Sequence, residues 1–502
     1  MAQKRALPRI CIALGLADLV KLLEHARREA EAGETFLEFR LDYLEHPEQG
    51  AEAIRGFLEQ YPECIVLATC RRHQNHGKFN GSVEDQMRVL DVAVRAGAQA
   101  VDIEIESAEP APERLSLFRG RALVIISYHN YETTPQLEAI LNRMTRIPAD
   151  GYKIVATPRK PSDCGRVLML AKAHPRTPLV ILSMGELGFP TRVLSTAFGG
   201  LYTYAAPMAA QGTAAGQVGA RQLRHLYRVE KLTKAPKIYG VIADPVRHSV
   251  SPAVHNRAFQ ARRLDAVYLP LLVSPAQLRD FFLLAGALPI SGFSVTIPHK
   301  QKIIRYLDAV DPLAKRIGAV NTVWRKAGKW RGTNTDIAGV LGPLSKHVCL
   351  SKSSVLIVGN GGAARGAAFA LSDAGARVSL VGRNPDRVRA LSKVCGAEAL
   401  QREQLRDRHF DALVHATPVG MFPNIHDCFF DGAIPAEIVF DMVYNPLETA
   451  LIRRAKEQGK LAVPGLSMFI EQAVRQFEIW TGEHAPRSLM EKAALEALEQ
   501  KP

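Results

Sequence analysis

Residues 151–158 read GYKIVATP, a short apolar run of β type that contains a single lysine, Lys153. Stretches of helical periodicity separate it from seven similar runs. Those runs are RICIALG (9–15), FLEFRLD (36–42), CIVLATCR (64–71), AVDIEIE (100–106), ALVIISYHN (122–130), PLVILSMGE (178–186) and LYTYAAP (201–207). A strand followed by a helix, repeated eight times within about 220 residues, predicts an α/β chain that begins with a (β/α)8 TIM barrel.

The length and composition limit the class of protein. A chain of 502 residues exceeds what one core usually holds, so we expect at least two domains. The net charge of +14 suits anionic ligands, and its spread without basic runs favours small anionic metabolites over nucleic acid. Seven cysteines without a CxxC pair, no signal-type N-terminus and no 18-residue apolar span predict a cytoplasmic protein without a membrane segment.

Several polar residues fall at the carboxyl ends of the predicted strands, where active sites of barrels lie. A lysine in an apolar barrel interior would lose its charge by desolvation, and a neutral amine is a nucleophile. A neighbouring imidazole can move protons, and arginines can hold a carboxylate, which predicts Schiff-base chemistry on a small keto acid. The alternative is that Lys153 only lies on a solvated strand face. The residues concerned are Glu38, Arg40, Arg71, Glu104, His129, Lys153 and Arg192.

Residues 8–230 resemble the type I 3-dehydroquinate dehydratases. The resemblance implies that Lys153 forms an imine with the C3 ketone of the substrate. It also implies that His129 removes the C2 proton and returns one to the leaving hydroxyl. The matching motifs are LEFRLD (37–42), SYHNYETTP (127–135), GYKIVATP, MGELGFPTR (184–192) and TAAGQ (213–217). The implied substrate contacts are Glu38, Arg40, Arg71, Arg192, Thr213 and Gln217.

One loop departs from the pattern of that family. The family commonly has a glutamate before a Gly-Gly pair, whereas RRHQNHG (71–77) has Asn75 and then His76. An asparagine can still hydrogen-bond an imidazole. His73 and His76 are two loop histidines without a third ligand, so we predict no metal site.

The segment 213–232 predicts the last helix of the barrel, and the second half begins after a short linker, TKAPK (233–237). Its strongest motif is SSVLIVGNGGAARGAAFAL (353–371), in which a strand runs through a glycine turn into a helix, as a dinucleotide fingerprint requires. The next strand ends in Gly382-Arg383-Asn384, where an acidic residue would favour NAD. Arg383 favours the 2′-phosphate of NADP, unless it is only solvated.

Residues 238–500 resemble shikimate dehydrogenase. The resemblance implies that Lys300 and Asp336 are the catalytic pair and that NADP(H) is the cofactor. The motifs are SVSP (249–252), TIPHK (296–300), GAVNT (318–322), NTD (334–336), GNGGAARG (359–366), ATPVGM (416–421) and DMVYNPLET (441–449). The implied substrate contacts are Ser249, Ser251, Thr296, Asn321 and Gln472, although the two serines could instead be helix caps. The implied cofactor contacts are Gly359, Asn360, Gly361, Gly362, Ala363, Ala364, Arg383 and Asn384, with Met442 and Tyr444 near the nicotinamide.

We therefore predict a dehydratase barrel (1–232), the linker (233–237), a substrate-binding lobe (238–345, completed by 466–502) and a Rossmann lobe (350–465). The resemblances imply a fused shikimate-pathway enzyme of aromatic amino acid and chorismate biosynthesis. Its steps would convert 3-dehydroquinate to 3-dehydroshikimate and then to shikimate. Ser294 stands where many relatives have asparagine, so a quinate dehydrogenase remains an alternative, as does a quinate-sensing regulator without catalysis. The oligomeric state stays open.

Overall fold

The computed structural model describes residues 7–208, 212–213, 216–247 and 249–499. The chain divides into two compact units. The first contains Met1–Lys237 and Leu271–Pro289, and the second contains Ile238–Pro270 and Ile290–Pro502. Within the described residues, no helix is long and apolar enough to cross a membrane.

Eight parallel strands form the centre of the first unit. They pair in the order β7-β6-β5-β4-β3-β2-β1-β8. The N–H of Leu201, just before β8, donates to the carbonyl of Leu179 in β7 at 2.7 Å, so the two ends of the sheet meet. The predicted barrel is confirmed. The strands are β1 (Ile10–Leu14), β2 (Phe36–Arg40), β3 (Ile65–Thr69), β4 (Ala100–Glu104), β5 (Leu123–Asn130), β6 (Gly151–Ala156), β7 (Leu179–Ser183) and β8 (Thr203–Ala205).

Helices follow the strands, and some of them begin at residues that cap them. The Asp18 side chain accepts from the N–H of Lys21 at the start of α1, and Ser82 and Asp85 form a reciprocal capping box at the start of α3. The helices are α1 (Leu19–Glu31), α2 (Pro47–Gln60), α3 (Val83–Arg95), α4 (Ile105–Ala108), α5 (Leu137–Met144), α6 (Pro161–Ala173) and α7 (Phe189–Leu194).

The segment 213–232 differs from the helix expected there. Within the described residues of this segment, the helical structure is short: it starts at Ala220 and includes the π-helical turn Gln222–Leu226. Gly216 has a φ of +78°, and a Cβ on it would lie 2.4 Å from the carbonyl oxygen of Gly185. This close backbone approach to the loop after β7 excludes a helix at Gly216, so helical structure begins only later.

The inward-facing side chains of the barrel change from apolar to polar along the strands. Side chains alternate between the two faces of a strand, so Phe36, Glu38 and Arg40 of β2 share one face. Apolar side chains of all eight strands or the residues beside them form one buried cluster: Cys11, Ala13, Phe36, Ile65, Leu67, Ala100, Ile125, Val155, Val180, Leu182, Tyr202 and Tyr204. The charged residues therefore lie at the carboxyl end of the barrel, where the active site of this fold is found.

The second unit contains two sheets of six strands. The first has the order β10-β9-β11-β13-β14-β12. Its strands are β9 (Lys237–Ala243), β10 (Ala266–Leu272), β11 (Ile290–Val295), β12 (Ala309–Val310), β13 (Thr322–Lys326) and β14 (Lys329–Thr333). The associated helices are α8 (Ser251–Ala261), α9 (Leu278–Ala287), α10 (Pro312–Ile317) and α11 (Asp336–Leu344), of which α9 lies in the segment that groups with the first unit.

The other sheet is parallel and has the order β17-β16-β15-β18-β19-β20. The chain adds strands on one side of β15 and then, from β18 onward, on its other side, as in dinucleotide-binding folds. Val355 and Ile357 face one buried cluster and Leu356 and Val358 another, so both faces of β15 are covered. The predicted Rossmann fold is confirmed. The strands are β15 (Ser354–Val358), β16 (Arg377–Val381), β17 (Glu398–Ala399), β18 (Phe410–His415), β19 (Ala436–Asp441) and β20 (Leu461–Val463). The helices between these strands are α12 (Gly362–Asp373), α13 (Pro385–Cys395) and α14 (Ala450–Glu457). After β20 come α15 (Leu466–Thr481) and α16 (Arg487–Glu499), which pack against α8.

Candidate active sites

Lys153 points into the polar end of the barrel. Its Nζ donates to Asp102 Oδ2 at 2.8 Å and to the Tyr204 hydroxyl at 2.9 Å, and Glu38 Oε1 lies 3.8 Å away. The lysine is buried, so it is not on a solvated strand face. The expectation that Lys153 has apolar surroundings is wrong, because the carboxylates of Asp102 and Glu38 lie in the same pocket. A proton on the amine therefore has acceptors within hydrogen-bond reach.

Asp102 connects the lysine to the rest of the pocket. Its Oδ1 accepts from Ser127 Oγ at 2.7 Å and from the Arg71 guanidinium at 3.1 Å. Burial raises the pKa of Asp102, but the Lys153 and Arg71 cations outweigh burial and hold this pKa below its usual range. The sequence analysis did not select Asp102. Its signal was an acidic residue inside the apolar run AVDIEIE, two positions before Glu104.

His129 lies in β5, beside the strand that carries Lys153. Burial lowers the pKa of His129 well below its usual range, and the charges of Arg71 and Lys153 lower it further. The imidazole is therefore neutral near pH 7 and can accept a proton.

The predicted arginines have different surroundings. Arg40 is buried and makes two hydrogen bonds of 2.8 Å to the Asp42 carboxylate. Burial lowers the pKa of Arg192, in α7, to about 10. Arg71 contacts Asp102, and its Nε lies 3.8 Å from Glu104 Oε1. The structure thus brings Arg71 to the lysine pocket and gives Arg40 a carboxylate partner of its own.

Thr213 and Gln217 come close to the end of β1. A Cβ on Gly15 would lie 2.7 Å from the Thr213 methyl group, and the Gln217 amide donates to Thr213 Oγ1 at 3.4 Å. Residues 214–215, between them in the TAAGQ motif, lie outside the described residues. Thr213 and Gln217 are therefore neighbours, as their shared motif predicts.

Lys300 and Asp336 form the corresponding pair of the second unit. Lys300 Nζ donates to Asp336 Oδ2 at 2.6 Å, and the Asn321 amide donates to Asp336 Oδ1 at 2.8 Å. Asn321 Oδ1 in turn accepts from the N–H of Thr335 at 2.8 Å and from Thr322 Oγ1 at 2.7 Å. Asn321 is thus fixed on both sides, and it orients the carboxylate toward the lysine.

The remaining predicted substrate contacts lie in several elements. Ser251 is the first residue of α8, and its N–H donates to Ser249 Oγ at 3.3 Å, which supports a local turn-forming role for Ser249. Thr296 follows β11. The Gln472 amide donates to the Phe469 carbonyl of its own helix at 3.0 Å. The substrate role of these four residues stays a prediction.

Ser294 belongs to a buried hydrogen-bond network. Its hydroxyl lies 2.6 Å from the Tyr268 hydroxyl and donates to Gln476 Oε1 at 2.9 Å. The Gln476 amide donates to Thr322 Oγ1 at 3.1 Å. The sequence analysis noted Ser294 but missed its partners, because Gln476 is 182 residues away.

The glycine turn after β15 fits a dinucleotide. Gly359 has a φ of +131°, and a Cβ on it would lie 2.7 Å from the Ala416 carbonyl oxygen. A Cβ on Gly361 would meet nothing within 4 Å, so the N-terminus of α12 is open to a phosphate. Gly362 borders the catalytic pair, since its Cβ would lie 3.4 Å from Lys300 Cβ. Ala363 and Ala364 occupy the first turn of α12.

The residues expected on the ribose side of the cofactor, Arg383 and Asn384, lie just after β16. Arg383 is exposed. The Asn384 side chain accepts from the N–H of Arg387 and thereby caps α13. The Asn360 amide donates to the Asn384 carbonyl at 3.4 Å. Arg383 is therefore accessible to a phosphate, whereas Asn384 also has a structural role.

A second buried network anchors the segments after β18 and β19. His415 Nδ1 lies 2.9 Å from Asp441 Oδ1, and His415 Nε2 lies 2.6 Å from Thr417 Oγ1. Asp441 Oδ1 also accepts from the N–H of Val443 at 3.0 Å, and its Oδ2 accepts from Thr449 Oγ1 at 2.5 Å. The sequence analysis missed this network, although His415 directly precedes the motif ATPVGM and Asp441 is the first residue of the motif DMVYNPLET.

Met442 and Tyr444 continue from the same anchor. The N–H of Met442 donates to the His415 carbonyl at 3.0 Å. The Tyr444 ring stacks on Phe469, with ring centroids 4.6 Å apart, and burial raises the pKa of Tyr444 to about 12. Both residues thus lie on a firmly held segment at the carboxyl end of the Rossmann sheet.

A barrel with a buried lysine beside a half-buried imidazole, followed by a Rossmann unit with a Lys–Asp pair at its glycine turn, defines a fused lyase and oxidoreductase. Family models match type I 3-dehydroquinase over residues 10–234, the shikimate dehydrogenase substrate binding domain over 241–323 and the shikimate 5'-dehydrogenase C-terminal domain over 465–495.

Proteins of known function are similar over much of the chain. The chloroplastic bifunctional 3-dehydroquinate dehydratase/shikimate dehydrogenase of Arabidopsis thaliana is 33% identical over 96% of this chain and 83% of that protein. A shikimate biosynthesis protein of Chlamydia pneumoniae is 33% identical over 76% of this chain and 78% of that protein. The shikimate dehydrogenase (NADP(+)) of Methanosarcina acetivorans is 41% identical over 52% of this chain and 99% of that protein. The chain belongs to the family of bifunctional 3-dehydroquinate dehydratase/shikimate dehydrogenases.

Proposed function

We propose that the first unit dehydrates 3-dehydroquinate to 3-dehydroshikimate and that the second unit reduces this product to shikimate with NADPH. The observation that carries the proposal is the presence of two lysine–carboxylate pairs in one chain. Lys153 and Asp102 lie at the carboxyl end of the barrel, and Lys300 and Asp336 lie beside the glycine turn. Paired lysines suit catalysis better than ligand sensing alone.

In the first reaction, Lys153 attacks the C3 ketone and forms an imine with loss of water. The Asp102 carboxylate, 2.8 Å from Nζ, can take the proton that the amine must lose, and the Tyr204 hydroxyl, 2.9 Å from Nζ, can hydrogen-bond the amine. Neutral His129 then removes the C2 proton and delivers a proton to the leaving C1 hydroxyl, which departs as water. Hydrolysis of the imine consumes one water, so the net change is the loss of one water from the substrate.

In the second reaction, NADPH supplies the hydride that reduces the ketone carbon. Lys300 donates a proton to the carbonyl oxygen as negative charge develops on it. Asp336, held by Asn321, orients the Lys300 ammonium and helps to replace its proton. Arg383 would bind the 2′-phosphate, and the first turn of α12 would bind the pyrophosphate.

The wider assignments rest on the same family membership. We propose that residues 1–232 form the dehydratase. We also propose that residues 238–345 and 466–502 together form the substrate-binding lobe of the dehydrogenase and that residues 350–465 form its Rossmann lobe. The two six-stranded sheets of the second unit support the division into lobes. We also propose a cytoplasmic location, small anionic substrates, no metal requirement and no nucleic-acid partner, which the charge pattern and the cysteine content support.

The test is a pair of absorbance assays on the purified full chain with 3-dehydroquinate. We expect the enone absorbance of 3-dehydroshikimate to rise without NADPH, and NADPH to be consumed when it is added. If NADPH is consumed only when 3-dehydroshikimate is supplied, the proposal fails for the barrel. If turnover on quinate with NAD exceeds turnover on shikimate with NADP, the second unit is a quinate dehydrogenase.

Arg383→Ala should weaken NADPH selectively. Loss of a charged hydrogen bond to phosphate costs about 1.5–3 kcal/mol, so we expect KM for NADPH to rise roughly 10- to 100-fold. KM for NADH should change little, because NADH lacks the 2′-phosphate. Initial rates with both cofactors check this. Arg389→Ala is the matched control, since Arg389 is exposed on α13 and pairs with Asp386. Equal changes for NADH and NADPH in Arg383→Ala would contradict the assignment.

A further inference from the structure

The loop between β3 and α3 is held in one shape by its own backbone. The N–H of Phe79 donates to the Arg71 carbonyl at 3.1 Å, and the N–H of His73 donates to the Phe79 carbonyl at 2.8 Å. The N–H of Gly77 donates to the Arg72 carbonyl at 3.0 Å. A Cβ on Gly77 would lie 2.0 Å from the Arg71 carbonyl oxygen, so the loop packs directly on the strand end.

Asn75, which stands in place of the glutamate of related dehydratases, has a carboxylate partner outside the barrel strands. Its amide donates to Glu106 Oε2 in α4 at 2.8 Å. This hydrogen bond fixes the residue that precedes His76. His76 itself has a φ of +59°, a left-handed conformation that non-glycine residues adopt infrequently.

That conformation places the His76 ring against Tyr131, with ring centroids 4.2 Å apart. Tyr131 in turn stacks beside His129 at 6.1 Å, with the two ring planes inclined by only 21°. Three rings therefore follow one another from the loop to the catalytic imidazole. Among the described residues of this loop, His76 is the one whose ring reaches the row.

We propose that His76 is a positioning residue for the dehydration reaction, which holds Tyr131 as a wall beside His129. This inference rests on the proposed function. His76 and Tyr131 are themselves exposed, so the wall reduces the contact of one side of the imidazole with water, and it limits the movement of the imidazole. Both effects favour proton transfer from a fixed neighbouring carbon atom.

The charged groups around His129 make the loss of this wall measurable. Arg71 from β3, Lys153 from β6 and Arg40 from β2 lower the pKa of His129, whereas Asp102 from β4 raises it, and burial is the largest cause of the lowered pKa. Water admitted beside the ring would reduce the effect of burial. The acid limb of kcat/KM for dehydration should then move to higher pH.

His76→Gly is the decisive variant, because glycine adopts a φ of +59° without strain. The relief of this strain should offset the extra freedom that glycine gives the unfolded chain, so the thermal midpoint should stay near the wild-type value and a loss of activity would not come from unfolding. We expect kcat for dehydration to fall about tenfold and the acid limb to move to higher pH. Reduction of 3-dehydroshikimate by the second unit should not change.

Two further variants complete the test. His73→Ala, in the same loop and exposed, should keep both activities. His76→Phe keeps a ring and should retain most of the dehydration rate if packing is the cause. A wild-type kcat and pH profile in His76→Gly would overturn the inference, as would an equal loss in His76→Phe and His76→Gly. Absence of dehydration in the wild-type chain would instead defeat the proposed function itself.

Discussion

Lys153→Met abolishes dehydration of 3-dehydroquinate, on the order of 10⁴-fold or more, because the variant has no amine to form the imine. The flexible apolar side chain of methionine fits the space of the lysine stem. It leaves Asp102 without its 2.8 Å partner, while Arg71 and Ser127 still contact that carboxylate. Reduction of supplied 3-dehydroshikimate should continue, since its catalytic pair lies in the second unit.

Borohydride trapping identifies the reacting lysine directly. Reduction of the imine fixes the ligand to the amine, so intact-protein mass spectrometry should find one adduct per wild-type chain and none on Lys153→Met. Lys172→Met is the matched control, because Lys172 is an exposed lysine of α6 and its variant should still be trapped. An adduct that persists on folded Lys153→Met would defeat the assignment.

Lys300→Met should lower kcat for reduction of 3-dehydroshikimate by on the order of 10²–10⁴-fold, because the ketone oxygen loses its proton donor. Asp336→Asn should lower it less, since the lysine remains but loses its charged 2.6 Å partner. Dehydration by the barrel should keep its wild-type rate in both variants. Steady-state rates for each substrate measure the two effects in the same preparation.

The control for this second prediction is Lys302→Met, two residues along the chain and exposed. It should reduce the ketone at the wild-type rate. If Lys300→Met lost both activities equally, the two reactions would share a site, and the two-site description would be wrong. If Lys300→Met raised KM with an unchanged kcat, the lysine would bind substrate without donating the proton.

Much of the fold follows from the sequence, because strand spacing and the glycine turn are local signals. The segment 213–232 shows the limit of such signals. Its helical periodicity is genuine, but Gly216 must approach the backbone of Gly185, which no local pattern reveals. Tertiary contact thus overrides helix propensity at this point.

The candidate sites were predictable to a similar extent. Lys153 and His129 stand out because charged or titratable side chains are unusual in apolar runs. Asp102 faces the same interior but was not predicted, because it lies in the middle of β4 and the candidates were chosen near the carboxyl ends of the strands. The network of Ser294, Tyr268 and Gln476 joins distant parts of the chain. Only the folded structure brings such residues together.

The carboxylate of Asp441 bears on the thermodynamics of cofactor binding. It fixes His415, Val443 and Thr449 through hydrogen bonds that involve no ligand. The segments after β18 and β19, the second of which carries the residues proposed to lie near the nicotinamide, therefore have little conformational entropy left to lose on cofactor binding. Immobilising a flexible side chain on binding costs about 0.5–1.5 kcal/mol. Where that ordering has already occurred during folding, a larger share of the contact energy remains as affinity.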